Sequence, residues 1–164
     1  MVSLPILRYE LPINKELRLT YDVSLELYEN RQVSAEEYEA GGILLGSIYD
    51  DFIQIEAISI PGGSDIRKPF FFQRDRDRAQ RLINQAHEYS QGLTNYLGEW
   101  HTHYQKIPQP SSLDISEMQK TFEKSKIPLQ FIVAIIVGNS DFIGNLWVGF
   151  QDKNGLRLCS EQTD

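Results

Sequence analysis

Two histidines, a serine and an aspartate crowd into one short stretch, GEWHTHYQKIPQPSSLD at 98–114, where His101, His103, Ser111 and Asp114 are spaced HxHx7SxxD. Two neutral imidazoles and a carboxylate are a common ligand set for catalytic zinc, which keeps its fourth tetrahedral position for water. To meet at one ion, His101 and His103 must leave the chain on the same side. Residues two apart do so on a strand, about 7 Å apart at their Cα atoms, and do not on a helix. The spacing therefore predicts an open metal site carried by a strand; iron and manganese are also compatible with such a donor set. Ser111 to Asp114 has a second reading, since Ser-x-x-Asp is also a helix-capping box.

The elements that must position these residues follow from the surrounding pattern. Residues 96–102 read as the metal-bearing strand, with Glu99 on the parity of the two histidines and Trp100 and Thr102 facing the other way. Glu99 is either a partner that orients an imidazole or a residue of the sheet face. Pro108 and Pro110 turn the chain, and a helix over 112–124 sets Asp114 in its first turn, from which it can reach back to the histidines. The clearest helix is 75–90, where Ala79, Leu82, Ile83 and Ala86 recur at helical spacing; His87 lies on it with no ligand partner at i±3 or i±4.

A further helix, capped by Asp22, runs over 22–31. Strands are expected at 43–49, 52–60, 129–137 and 142–150, with an edge strand at 156–159 and a turn at Asp50-Asp51. Residues 4–20, with Pro5 and Pro12, read as an irregular arm leading into a strand near 17–19. Pro61-Gly62-Gly63-Ser64 opens a loop that extends toward Pro69, and 70–72 reads as a short strand packed in the core. Gly41-Gly42 reads as a sharp bend after an acidic cluster, Glu36, Glu37 and Glu39. The sum is an α/β fold, a mixed and mostly antiparallel sheet flanked by three helices, in one domain spanning 1–164 with its core at about 17–150.

Composition agrees with this picture. The chain has 164 residues, 41% of them hydrophobic and 24% charged, as in ordinary soluble domains. A formal net charge of −7 argues against nucleic acid as a partner. The longest apolar run, 131–137, is far too short to span a membrane, and the N-terminus lacks the basic start and apolar stretch of a signal peptide, so a cytoplasmic protein is expected. One cysteine, Cys159, permits no internal disulfide and reads as a small apolar residue of the terminal strand.

The pattern HxHx7SxxD, together with Glu39 in EAGGILLG, resembles the JAMM motif of the JAB/MPN metalloprotease family. GEWHTH and FFFQRDRDRAQRLI are similar to its small prokaryotic members, particularly deconjugating peptidases encoded in antiphage operons of the CBASS type and related bacterial ubiquitin-like systems. The resemblance implies a JAB/MPN fold, related to that of cytidine deaminases, and Zn2+ held by His101, His103 and Asp114. It also implies Glu39, rather than Glu36 or Glu37, as general base and Ser111 as oxyanion donor. The reaction implied is hydrolysis of the amide bond between a ubiquitin-like protein, or a protein conjugated in a ubiquitin-like way, and its target, with a cGAS-like nucleotidyltransferase as one conjugated protein. Processing of a sulfur-carrier protein and a non-catalytic scaffold are the alternatives. The short path from the 112–124 helix to the next strand leaves little room for the insertion with which ubiquitin-specific relatives grip their substrate. Tyr104 departs from the family, many of whose members have Pro after the second histidine. The HxE and PCxxC ligands of zinc deaminases are absent.

Overall fold

In the computed structural model, which describes residues 6–162, the chain runs β1 (Leu7–Leu11), β2 (Lys15–Leu19), α1 (Tyr21–Glu29), β3 (Gly41–Ile48), β4 (Phe52–Ile58), β5 (Ile66–Lys68), β6 (Phe71–Gln73), α2 (Arg76–Tyr89), β7 (Asn95–Thr102), α3 (Ser112–Lys124), β8 (Ile132–Val137), β9 (Leu146–Asp152) and β10 (Gly155–Leu158). Eight strands form one sheet in the order β1-β2-β4-β3-β7-β8-β9-β10, and β5 pairs only with β6. The pairs β2·β4 and β7·β8 are parallel and the other neighbours antiparallel. The sheet curls until its two edges meet. Tyr9 bridges Glu161, Glu10 N donates to Ser160 O and Gln162 N donates to Arg8 O.

Apolar patterning explains which helix lies where. Strand β8, IVAIIV, is buried along its whole length, as expected of a strand covered on both faces. Val133, Ile135 and Val137 join Val23 and Leu27 of α1 in the main core, whereas Ile132 and Ala134 pack against Met118 and Phe122 of α3. Strand β3 divides likewise. Leu44 faces the main core, while Ile43 and Leu45 meet Ala79, Leu82 and Ile83 of α2. One helix thus fills the concave side of the sheet, and α2 and α3 cover the other side.

Several elements depart from the sequence reading. The N-terminal arm is a hairpin: Leu7, Tyr9 and Leu11 pair with Leu19, Leu17 and Lys15. Its turn puts Ile13 and Asn14 at φ 67° and 54°, a left-handed conformation common in hairpin turns but unfavourable for a β-branched residue, which hid the turn from view. Leu4 and Pro5 of that arm lie outside the described residues. The cap of α1 is Thr20, whose Oγ1 accepts from Val23 N at 3.3 Å, and Asp22 sits in the first turn instead, where its charge favours the helix N-terminus. The 70–72 stretch is not core: Phe70 is 84% exposed, and Phe71 and Phe72 belong to the small β5–β6 hairpin, part of which was expected as loop. The strand expected from 142 starts at Leu146, because residues 141–144 are spent in the turn after β8.

Gly41 and Gly42 are strand residues with no left-handed backbone. Their need for glycine is close approach: a Cβ on Gly42 would lie 2.2 Å from Ser59 O, and one on Gly41 2.4 Å from the Phe72 ring. The bend expected there is thus a crowded crossing.

Leu27, fully buried between α1 and the sheet, provides a test of this packing. Leu27→Ala should cost about 2–5 kcal/mol in denaturant unfolding, with an unchanged denaturant slope showing that the fold itself is retained.

Candidate metal and active site

The site is assembled by register. Gly41 of β3 pairs with His101 of β7 and Gly42 with Trp100, so the same antiparallel count places Ala40 beside Thr102 and Glu39 beside His103. The chain keeps this pairing past the end of β3. Thr102 N donates to Ala40 O and Ala40 N donates to the Thr102 hydroxyl, both at 2.9 Å. His103 lies one residue beyond β7, yet its N–H donates to Val137 O at 2.9 Å, so the strand alternation holds and both imidazoles leave on one side.

Glu39 is locked from three directions. Its N–H donates to Lys68 O at 2.8 Å, and its carbonyl accepts from Arg67 Nε at 2.8 Å, which ties it to the β5–β6 hairpin. Behind it, the buried Gln32 amide donates to Glu37 O and Pro69 O and accepts from the Thr102 hydroxyl. Gln32 therefore joins the Glu39 loop, the hairpin and the residue between the two histidines. Nothing in local sequence marks it, because only the fold makes it a neighbour of Thr102.

Asp114 reaches the histidines from α3. Both readings of Ser111 to Asp114 hold in one geometry: Asp114 N donates to Ser111 Oγ at 3.1 Å, and Ser111 N donates to Asp114 Oδ2 at 2.8 Å, a complete capping box. The carboxylate also faces the imidazoles, with Oδ1 3.2 Å from His101 Nε2 and Oδ2 3.0 Å from His103 Nε2. The two Nε2 atoms are 3.1 Å apart. The two nitrogens approach different oxygens of Asp114, and these separations are close to the roughly 3.4 Å between neighbouring ligands around a tetrahedral ion held at about 2.0–2.1 Å, so one ion can touch a donor atom of each residue. Their chemistry and spacing fit a divalent metal, and the group His101, His103 and Asp114 could hold one.

Gln105, which the sequence reading passed over, orients one of these donors. Its Oε1 accepts from Gln109 N at 3.2 Å, which fixes that atom as the oxygen, and lies 3.1 Å from His103 Nδ1. His103 must then carry its proton on Nδ1 and present the Nε2 lone pair to the site. The carboxylate of Glu99 is engaged elsewhere, by Arg74 Nε at 2.5 Å and by the Tyr96 hydroxyl. Of its two readings, the structure favours the sheet face. His87 is exposed on α2, its Nδ1 against Thr94 O. Cys159 is buried in the core, where burial pushes its thiol up to about 12 and keeps it inert.

Burial lifts the Glu39 carboxyl to about 7; the His103 cation opposes this shift and Asp114 adds to it. Burial works against the His103 cation, but hydrogen bonding and charge from Asp114, with help from Gln105 and Glu39, keep its pKa above the ordinary value. Burial would likewise raise Asp114, and the bonds from His101 and His103 outweigh it and hold this carboxyl well below the carboxylate range. The site opens into a cleft of about 1090 Å³, whose lining includes Glu39, the histidines, Ser111, Asp114 and Tyr104.

A His-His-Asp cluster carried by β7 and α3 beside a buried glutamate on a curled α/β sheet is the arrangement of a metal-dependent hydrolase site. The family model for prokaryotic homologs of the JAB domain matches residues 26–148, and the chain belongs to that family. It is a JAMM-type hydrolase. It is similar to a CD-NTase/cGAS isopeptidase of Escherichia coli, 32% identical over 141 residues that cover 86% of this chain and 85% of that protein. It is also similar to a probable metalloprotease of Sinorhizobium fredii, 26% identical over 73% of this chain and 76% of that one. A solution structure of a Desulfitobacterium hafniense protein shares the fold with a TM-score of 0.59 at 19% identity, covering 85% and 87% of the two chains.

Removing the Gln105 acceptor frees the His103 tautomer and ring. Gln105→Ala should therefore weaken metal binding about 10–100-fold in competition with a chromogenic chelator. In metal-free protein, Glu39 and His103 both bind protons more tightly folded than their ordinary values of 4.5 and 6.5 allow. The stability they contribute is complete below those values and is lost as pH rises through the folded ones. Chelator-treated protein should lose thermal stability between about pH 4.5 and 7, and Glu39→Gln should flatten that loss.

Proposed function

We propose that this chain is a zinc-dependent isopeptidase. Its substrate would be the amide bond joining the C-terminus of a ubiquitin-like or ubiquitin-like-conjugated protein to its target, in a bacterial antiphage conjugation system. The observation that carries the reading is the convergence of three metal donors, one of them 3.9 Å from a buried glutamate, at the mouth of an open cleft. Similarity to proteins named CD-NTase/cGAS isopeptidase supports a conjugate of a cGAS-like nucleotidyltransferase as substrate. A cytoplasmic site of action follows from that setting, and among the described residues no helix is long and apolar enough to cross a membrane.

In this mechanism His101 and His103 supply imidazole lone pairs and Asp114 supplies the charge that hold the ion. Zinc bound there supplies Lewis acidity that makes water a nucleophile near neutral pH. Glu39, poised near neutrality by burial, accepts the proton that water loses as its oxygen adds to the scissile carbonyl carbon, and gives it to the departing nitrogen as the C–N bond breaks. Ser111 uses its oxygen to cap α3 and keeps its O–H free to donate to the oxyanion. The products are a carboxylic acid and an amine, with no covalent enzyme intermediate.

Glu39→Ala should keep its metal by elemental analysis while turnover falls about 10²–10⁴-fold; retained turnover would remove Glu39 as base. His101→Ala should instead lose the metal. The reading as a whole is tested with conjugates assembled from proteins encoded beside this one: cleavage that a zinc chelator abolishes supports it, and intact conjugates under all conditions overturn it.

A further inference from the structure

The cleft does not end at the metal donors. It continues between α2 and α3 over β7, from His101 back to Tyr96. Five strand residues at about 3.3 Å each are roughly 17 Å, and the ten helical residues from Asp114 to Lys124 are roughly 15 Å, so two independent elements place its far end at the same distance. Near the site the walls are apolar, with Phe71, Leu113 and Met118; at the far end they become cationic. Lys120, Lys124 and Lys126 line the cleft along α3 and just beyond it, and the carboxylates beside this path are Glu117 and, on β7, Glu99. Both carboxylates are already engaged, Glu99 by Arg74 at 2.5 Å and Glu117 by Lys120 at 3.3 Å. Among the described residues Lys124 and Lys126 enter no ion pair. On a chain of net charge −7, two uncompensated cations at one cleft end are a local reversal of sign.

We infer that this end is a specificity subsite for an acidic side chain of the substrate, about four or five residues before the cleaved bond. The residue count is the roughly 15 Å span divided by about 3.3–3.6 Å per extended residue. The occupant is the tail of the acyl partner, which rests on the isopeptidase reading: in an isopeptide the amine arrives as a single lysine side chain, and only the acyl side brings an extended main chain long enough to run the cleft. Charge at such an exposed end steers and selects more than it tightens, and it is screened by salt.

The test is fluorescence anisotropy of the full chain with labelled peptides that end in a free glycine carboxylate. The peptides are identical except for Glu, Gln or Lys at the fourth and fifth residues from that end. The Glu peptide should bind roughly fivefold tighter than the Lys peptide at low salt, the sum expected of a few exposed ion pairs, and the preference should shrink at high salt. The double variant Lys124→Glu/Lys126→Glu, both exposed positions, should invert the order. Equal binding of the three peptides, no binding, or a preference that survives the charge reversal would overturn the subsite. Cleavage of the same sequences joined to a lysine side chain is read separately: binding selectivity without cleavage overturns the isopeptidase reading and leaves the subsite standing.

Discussion

The register between β3 and β7 is the constraint on which the site depends. Because Gly41 faces His101, continuing the count sets Glu39 against His103, and a slip of one residue would turn the histidines onto the other side of the sheet, among the residues that pack around Trp100. The slip is opposed from the face of the strand turned away from the site. Trp100 is buried and donates from its indole to Ser59 O at 2.9 Å, and Thr102, fully buried, exchanges bonds with Ala40 and Gln32. The residues that alternate with the site residues along β7 thus fix its position through the core, and the crowding at Gly41 and Gly42 makes the same pairing sterically selective.

That arrangement concentrates unlike charges in a partly dry pocket. Glu39 and Asp114 are both carboxyls within reach of His103, yet their proton affinities are driven apart. Asp114 sits at a helix N-terminus with a backbone N–H and two imidazoles to ionise against; among the described residues the Glu39 carboxyl receives no hydrogen bond to offset burial. Two carboxyls with opposed environments are suited to opposed tasks, one permanently charged to hold a cation and one near neutrality to move a proton. The division of labour follows from the surrounding structure, since both residues could ionise alike in water.

Much of this was legible in the sequence because it was local. The helical period of 75–90, the extent of 112–124 and the ligand spacing are short-range patterns, and the structure brings together the residues they singled out. Glu39 needed the family pattern, since Glu36 and Glu37 stand in the same acidic cluster and only strand pairing separates the three. The N-terminal hairpin was missed because its turn uses Ile13 where glycine or asparagine is expected, and the 70–72 run misled because three phenylalanines read as core when they mostly clothe a protruding hairpin. Gln32, Gln105 and Arg74 had no signal at all. Their partners are 70, 2 and 25 residues away respectively, and even the near one depends on which way a loop side chain turns.

Ser111 shows why a structural and a chemical reading need not compete. As N-cap it accepts the Asp114 N–H through lone pairs, a role that leaves its hydrogen unassigned, and as an exposed lining residue of the cleft it can give that hydrogen to a substrate oxygen. Capping in turn settles the rotamer of Asp114, because Oδ2 must stay near Ser111 N for the box to close, and that is the rotamer that faces the imidazoles. Helix initiation and ligand orientation are therefore one geometric condition. A residue that capped α3 without a hydroxyl, such as glycine, would keep the helix start but lose both the donor to the substrate and one of the two bonds that hold Asp114 in place. The x-x spacing of the capping box and of the ligand motif coincide because both are the distance from a helix cap to its third residue.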